Sequence, residues 1–220
     1  MIEQANEASA STATGPASGA GTGGGARTGI AGLDGIMCGG LARGSLFLVE
    51  GEPGAGKTTV ALQFLLEGAR QGERGLYITL SETARELRQG AASHGWTLGE
   101  EIEIFELIPP ESLLDEDQQQ SLLYSSDLEL GETTKQIFGA VERVKPRRVV
   151  LDSLSEIRLL AQSSLRYRRQ ILAIKHYFTR HDATVLLLDD LTAEAADMTV
   201  HSVTQGVIRL EEMAPDYGAE

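Results

Sequence analysis

One short stretch constrains the fold more than any other part of the chain. Residues 51–59 read GEPGAGKTT and match the pattern G-x-x-x-x-G-K-[ST], in which glycines let the backbone wrap around a polyphosphate. The apolar run Leu46–Glu50 before it has the character of a strand, and Lys57–Arg70 after it carries apolar residues at helical spacing. A strand, a glycine-rich turn and a helix in this order predict a phosphate-binding loop.

The residue types in this loop suit a polyphosphate bound together with Mg²⁺. Successive backbone N–H groups would point at the phosphates, Lys57 would add a positive charge, and the Thr58 hydroxyl would contact the metal ion. Lys57 is therefore a candidate catalytic residue as well as a ligand-binding residue. The ligand-binding residues predicted from the loop are Gly51, Pro53, Gly54, Ala55, Gly56, Lys57, Thr58 and Thr59.

Strand-like apolar runs alternate with helical patterns along the chain. The predicted strands are Leu46–Glu50, Leu76–Leu80, Ile102–Phe105, Val149–Leu151, Thr184–Leu188 and Gly206–Leu210. The predicted helices are Lys57–Arg70, Thr83–His94 with a Thr83–Glu86 capping box, Thr133–Val144 and Ser155–Arg180. This alternation predicts an α/β fold with a mainly parallel sheet and helices on both faces. In such folds ligands bind at the carboxyl ends of the strands.

Composition divides the chain into a folded region and two flanking segments. Residues 1–27 are rich in Ala, Gly, Ser and Thr, which cannot bury enough apolar area to offset the entropy of ordering, and they predict a disordered tail. Residues 28–213 are expected to form one nucleotide-binding domain around the phosphate-binding loop. Residues 214–220 form an acidic end.

Asp152 is the second residue with a predicted chemical role. It follows the apolar strand Val149–Leu151, where nucleotide-hydrolysing enzymes with this loop place the carboxylate that organises Mg²⁺. The alternative is a helix start, because Ser153 and Glu156 have the spacing of a capping box. Both interpretations can hold together, with Ser153 capping the helix and Asp152 facing the metal.

The charge and cysteine content exclude several classes of protein. A formal net charge of −13 disfavours non-specific binding to nucleic acid or to an anionic membrane. The single cysteine, Cys38, excludes an internal disulfide. The amino terminus lacks the pattern of a signal peptide, and no apolar run approaches the length of a membrane span. These features predict a soluble, cytoplasmic protein.

Several separated motifs together resemble the KaiC family of RecA-like ATPases. They are TGIAGLDGIMCGGLARGS (28–45), LYITLSET (76–83), SHGWTL (93–98), VKPRRVVLDSLSEIRLL (144–160), YRRQILAIKHYF (167–178) and HSVTQGVIRLE (201–211). The resemblance implies a RecA-like P-loop NTPase core, ATP with Mg²⁺ as ligands, hexameric rings with ATP between subunits, and autophosphorylation in some members. It also implies that Ser93 and Trp96 lie near the adenine, although a Trp at a helix end is more often part of the core.

Ser81 and Glu82 depart from the family pattern. In the family, the strand equivalent to Leu76–Leu80 ends in two glutamates, and the first activates the attacking group. Ser81 stands at that position, and its hydroxyl is neutral at pH 7, so the loss of the base is expected to cost ~10²–10⁴-fold in rate. Strict alternation puts Glu82 on the opposite face, unless the strand end bends. Both are candidate catalytic residues, with a solvated acid as the alternative for Glu82.

The sequence leaves three function classes open. The first is a slow, ring-forming ATPase or signalling switch, and the second is an ATP-binding interaction module without turnover. The third is a RadA/RecA-like recombination ATPase, which is disfavoured because Leu191–Gln205 contains no Lys or Arg. A homo-oligomer is expected, because the basic residues Arg166, Arg168, Arg169 and Lys175 complement an acidic stretch between Thr97 and Thr134.

The family also continues beyond the last predicted strand into a Lys-x-Arg-Gly hairpin that reaches the neighbouring subunit's ATP. Residues 211–220 read EEMAPDYGAE and contain no Lys or Arg. The expectation is that the chain is either a fragment of a longer protein or lacks these cations, which stabilise charge in the transition state.

Overall fold

The computed structural model describes residues 24–107, 122–191 and 199–213 of the chain. Within these ranges the strands are β1 (Leu46–Gly51), β2 (Gly75–Thr79), β3 (Ile102–Glu106), β4 (Arg148–Asp152), β5 (Thr184–Asp190) and β6 (Gly206–Leu210). The helices are α1 (Ala31–Ile36), α2 (Lys57–Arg70), α3 (Ala84–Ser93), α4 (Leu122–Val144), α5 (Leu154–Ala161) and α6 (Ser164–Arg180).

The six strands form one parallel sheet covered by helices on both faces, as predicted. Their order is β3-β2-β4-β5-β1-β6, and each neighbouring pair is parallel. Helices α2 and α3 pack on one face, and α4, α5 and α6 pack on the other. Because both faces are covered, β1, β2, β4 and most of β5 are buried along their length, which explains their continuous apolar runs.

Alternation along the strands sends neighbouring side chains to opposite layers. In β1, Leu46 and Leu48 join the core under α4, α5 and α6, whereas Phe47 and Val49 join the core under α2. The same rule decides which polar side chains at the carboxyl edge of the sheet face α2 and its loop.

The predicted helix Ser155–Arg180 is wrong, because two helices occupy that segment. Helix α5 ends at Ala161, Gln162 adopts a left-handed conformation with φ of 54°, and α6 begins at Ser164. The Ser163 hydroxyl oxygen accepts a hydrogen bond from the backbone N–H of Arg166 and caps α6. The apolar periodicity continues across this break, so it gave no sign of the interruption.

The two predicted capping boxes have different outcomes. The Thr83–Glu86 box is formed at the start of α3, with reciprocal hydrogen bonds between side chains and backbone. Ser153 occupies the N-cap position of α5 but makes no capping hydrogen bond with its side chain, so the predicted Ser153–Glu156 box is wrong.

The ordered fold begins before the predicted boundary at Thr28. Ala26 is buried and exchanges backbone hydrogen bonds with Leu41. Asp34, on the short helix α1, accepts hydrogen bonds from the Thr28 backbone and hydroxyl and from the Gly29 backbone. The rest of the predicted tail 1–27, residues 1–23, lies outside the described residues, as does the acidic end 214–220.

Arg148 anchors the beginning of β4, at the opposite end of the strand from Asp152. Its buried guanidinium donates to the Glu73 carboxylate and to the Phe64 carbonyl, and it lies 4.7 Å from the centre of the Phe64 ring. Gly68 makes room for it, because a Cβ there would lie 2.4 Å from the Arg148 Cδ.

Among the helices in the described ranges, none is both long and apolar enough to cross a membrane.

Candidate active site

The glycine-rich loop leaves the carboxyl end of β1 and leads into α2. Gly54 and Gly56 have φ angles of 86° and 95°, a left-handed region that favours glycine. A Cβ at either position would point into open space, so these glycines are required by the backbone conformation and not by crowding. Gly56 is the N-cap residue of α2, so the free N–H groups of that helix's first turn face the loop.

Lys57 is held by three oxygen atoms at the centre of the site. Its ammonium group donates to the Gly51 carbonyl at 2.9 Å and to the Glu52 carbonyl at 2.8 Å, and it forms a 2.8 Å ion pair with Asp190. The side chain is nearly buried. Asp190 ends β5 and lies beside Gly51 in register. The predicted site residues did not include Asp190; the signal in the sequence is the acid pair Asp189-Asp190 that ends an apolar strand.

Asp152 lies at the carboxyl end of β4 and is almost fully buried. The hydroxyl of Tyr77, on β2, donates to its Oδ2 at 2.5 Å. Burial raises the pKa of Asp152, the Tyr77 hydrogen bond opposes that rise, the negative charge of Asp190 adds to it, and Lys57 opposes it. A buried carboxylate in this electrostatic setting would be favoured by a bound cation.

Glu82 reaches the same region because the chain bends directly after β2. The strand ends at Thr79, whose hydroxyl oxygen accepts from the backbone N–H of Glu82 at 2.9 Å and donates to the Glu82 carbonyl at 2.8 Å. This hydrogen-bonded turn ends the strict alternation of side chains. Burial is the largest cause that raises the pKa of Tyr77, and the negative charges of Asp152 and Glu82 raise it further. Thr79 shares a strand face with Tyr77, which packs in the core under α2, so the turn holds the Glu82 backbone at that side of the sheet edge.

The Glu82 carboxylate is half-buried, and its Oε2 has no hydrogen-bond partner within the described part of the chain. Burial is the largest cause that raises the pKa of Glu82, followed by the negative charges of Asp152 and Glu86. Ser81 is exposed, whereas the negative charge of Asp152 acts on the half-buried Glu82. The hydrogen-bonded turn after Thr79 is the bend that strict alternation omits.

Two other predicted residues lie at the far end of α3. Ser93 is exposed, and its hydroxyl donates to the Gly90 carbonyl, so its contact with adenine stays a prediction. Trp96 stacks on His94 and packs beside Leu66 in the last turns of α2. Trp96 is partly buried against the core near the end of α2 opposite Lys57, and its contact with adenine, like that of Ser93, stays a prediction.

The site fits a magnesium ion that is shared with a phosphate ligand. Among the described residues, no cluster of three or more His, Cys, Asp or Glu side chains could hold a metal on its own. Mg²⁺ often uses one or two protein oxygens and completes its shell with substrate phosphates and water. Thr58 and Asp152 would supply the protein oxygens in that arrangement.

Together, the parallel sheet, the glycine-rich loop at the end of β1, the loop lysine and the acid at the end of β4 define a P-loop nucleotide-binding domain with a RecA-like fold. The sequence profile of the family described as "ATPase: KaiC" matches residues 26–219. The chain therefore belongs to the KaiC family of ATPases.

Individual relatives agree with this assignment. The chain is 29% identical to the circadian clock protein KaiC3 of Synechocystis sp. over 82% of its own length, and it spans only 35% of that protein. It is 27% identical to a UPF0273 protein of Aeropyrum pernix, over 84% of this chain and 77% of that protein. The crystal structure of the KaiC-like protein PH0186 from Pyrococcus horikoshii superposes with a TM-score of 0.66 at 26% identity, over 83% of this chain and 78% of that one.

Glu82→Gln should stabilise the ligand-free protein at pH 7. Because the pKa of Glu82 is raised in the folded protein, the protonated carboxyl stabilises the fold. This contribution is complete at pH values below the pKa of the unfolded chain, and it is lost as the pH rises through the pKa of the folded protein. At pH 7 the ionised carboxylate is therefore unfavourably placed, and the neutral amide removes that cost. We expect the free energy of unfolding, measured in urea, to rise by about 0.5–2 kcal/mol.

The gain should shrink near pH 4, where the glutamate is largely protonated in both the folded and the unfolded chain. Glu86→Gln is the matched control, because hydrogen bonds from Thr83 lower the pKa of Glu86, and we expect no stabilisation from it. A Glu82→Gln variant that is less stable than the parent at pH 7 would contradict the electrostatic account of this carboxylate.

Proposed function

We propose that the protein binds Mg·ATP at this site and hydrolyses it slowly, with Glu82 as the general base. The observation that carries the proposal is the half-buried Glu82 carboxylate, which the Thr79 turn holds at the carboxyl edge of the sheet and whose Oε2 has no hydrogen-bond partner among the described residues. The pKa of this carboxyl is raised by burial first and then by the charges of Asp152 and Glu86. A base whose pKa is raised towards the working pH accepts a proton more effectively than an ordinary glutamate.

Each residue has a separate task in this proposal. The backbone N–H groups of the loop and Lys57 would hold the phosphates, which would replace the Asp190 carboxylate as the partner of the lysine. Thr58 and Asp152 would hold Mg²⁺, which when bound neutralises charge on the phosphate oxygens. Glu82 would orient the attacking water and accept its proton.

The proposed turnover is slow because the strand end supplies one acid where the family pattern has two. Ser81 cannot act as a base, because its hydroxyl is neutral at pH 7, and its side chain is exposed. The alternative is an ATP-binding switch without turnover, in which Glu82 contributes only its negative charge and accepts no proton. The exposed serine at the family's base position is the observation that favours this alternative.

Glu82→Gln should remove nearly all ATP turnover while ATP binding persists. The amide keeps the size of the side chain but cannot accept a proton, so we expect the steady-state rate to fall ~10²–10⁴-fold. Phosphate release measures turnover, and calorimetry with ATP and Mg²⁺ measures binding for the same preparations.

Ser81→Ala is the matched control for the neighbouring position and should change turnover little, and Ser81→Glu should also add little. A Glu82→Gln variant with at least half of the parent rate would exclude Glu82 as the base. A parent protein that binds ATP but releases no phosphate would favour the switch.

We further propose that the protein self-associates when it binds nucleotide, as a ring in which opposite charges meet. On α6 the side chains of Arg168 and Arg169 are exposed, whereas Glu100 and Glu101 are exposed on the loop before β3. An interface that joins two different surfaces of the same chain closes into a ring when the rotation allows it.

This assembly should weaken with salt and with reversal of the α6 charges. Raising the salt from about 0.1 M to about 1 M shortens the screening length from about 10 Å to about 3 Å and should lower the mass in solution. Arg168→Glu with Arg169→Glu should have the same effect at low salt, measured by sedimentation with Mg·ATP. Arg180→Glu, at the far end of the same helix, is the control.

A monomer under every nucleotide and salt condition would exclude the ring. An assembly that withstands high salt would exclude charge pairing as its basis.

A further inference from the structure

The hydroxyl of a tyrosine in an otherwise apolar part of β2 contacts one of the predicted metal ligands. Tyr77 is the middle residue of β2, its side chain is fully buried, and it packs in the core under α2. In the register of the sheet Tyr77 lies beside Val150, so Asp152 comes two residues further along on the same face. The phenol extends towards the carboxyl edge and its hydroxyl meets the Asp152 carboxylate.

The Tyr77 hydroxyl has no evident role in packing. A phenylalanine at this position would fill the same core space with no need for a polar partner, whereas a buried tyrosine hydroxyl needs one. Here that partner is Asp152 Oδ2. Tyr77 therefore contacts one of the two predicted magnesium ligands.

We propose that Tyr77 is a positioning residue for the divalent cation: its hydroxyl holds one oxygen of Asp152 and thereby orients the carboxylate for a metal ion beside Thr58. Residues that hold a metal ligand from behind fix its orientation, and their loss typically lowers metal affinity 10–100-fold. The inference rests on the proposed nucleotide site but not on turnover, because positioning affects binding of the metal before any chemistry.

Tyr77→Phe tests this role, with ADP as the probe. Calorimetry measures ADP affinity in EDTA and again in excess Mg²⁺, and the ratio of the two affinities is the magnesium enhancement. We expect Tyr77→Phe to leave the affinity in EDTA unchanged and to reduce the enhancement 10–100-fold. A general loss of packing would lower both affinities together.

Tyr167→Phe is the matched control. Tyr167 is also fully buried, in the core on the other face of the sheet, and its hydroxyl accepts from the Arg158 guanidinium at 3.3 Å. The removal of this hydroxyl should leave the magnesium enhancement at the parent value.

A double variant shows whether Tyr77 acts through Asp152. When Tyr77→Phe is added to Asp152→Asn, neither the affinity in EDTA nor that in Mg²⁺ should change further. This comparison leaves no unpaired buried charge, so it also serves if Tyr77→Phe alone folds poorly.

Three results would contradict the inference. Parent-like magnesium enhancement in Tyr77→Phe would exclude the positioning role, and a further fall in ADP affinity in the double variant would show that Tyr77 acts by another route. A parent protein that binds no ADP in either condition would overturn the proposed nucleotide site, and the inference with it. The first two results leave the nucleotide site intact, so the two failures are distinguishable.

Discussion

The contact between Lys57 and Asp190 organises the carboxyl edge of the sheet. It joins the first turn of α2 to the end of β5, and the carbonyls of Gly51 and Glu52 complete the surroundings of the ammonium group. The same positive charge partly offsets the cost of burying Asp152 on β4. A buried lysine needs such partners. The oxygens that satisfy it in the ligand-free chain are therefore the ones that a phosphate group would join or replace.

The two faces of β5 show how the sheet fixes this arrangement. Asp190 faces the loop, whereas its neighbour Asp189 faces the opposite layer and pairs with Arg158 of α5 at 2.7 Å. Glu50, beside Asp189 in register, is buried in that same layer and pairs with Arg209 of β6 at 2.6 Å. Carboxylates on both sides of these central strands are thus held by cations, which fixes the ends of β1 and β5 around the site.

Much of this could be predicted from the sequence, because the deciding interactions are local. The loop, β1 and α2 follow from glycines, apolar runs and helical spacing within one segment, and the parallel sheet follows from the alternation of strands and helices. The break at Gln162 could not be predicted, because the apolar pattern runs through it. The bend after Thr79 depends on hydrogen bonds between the Thr79 side chain and the Glu82 backbone, which alternation does not encode. Tyr77 and Asp190 acquire their roles only from neighbouring strands.

Calorimetric titration of Mg·ATP into the parent and Lys57→Ala is the most direct test of the central claim that this edge is a nucleotide site. Lys135→Ala, which removes an exposed lysine on α4, is the control. We expect the parent and Lys135→Ala to bind alike, and Lys57→Ala to show no measurable binding while it retains its circular-dichroism spectrum. A folded Lys57→Ala variant that binds ATP as tightly as the parent would contradict the account.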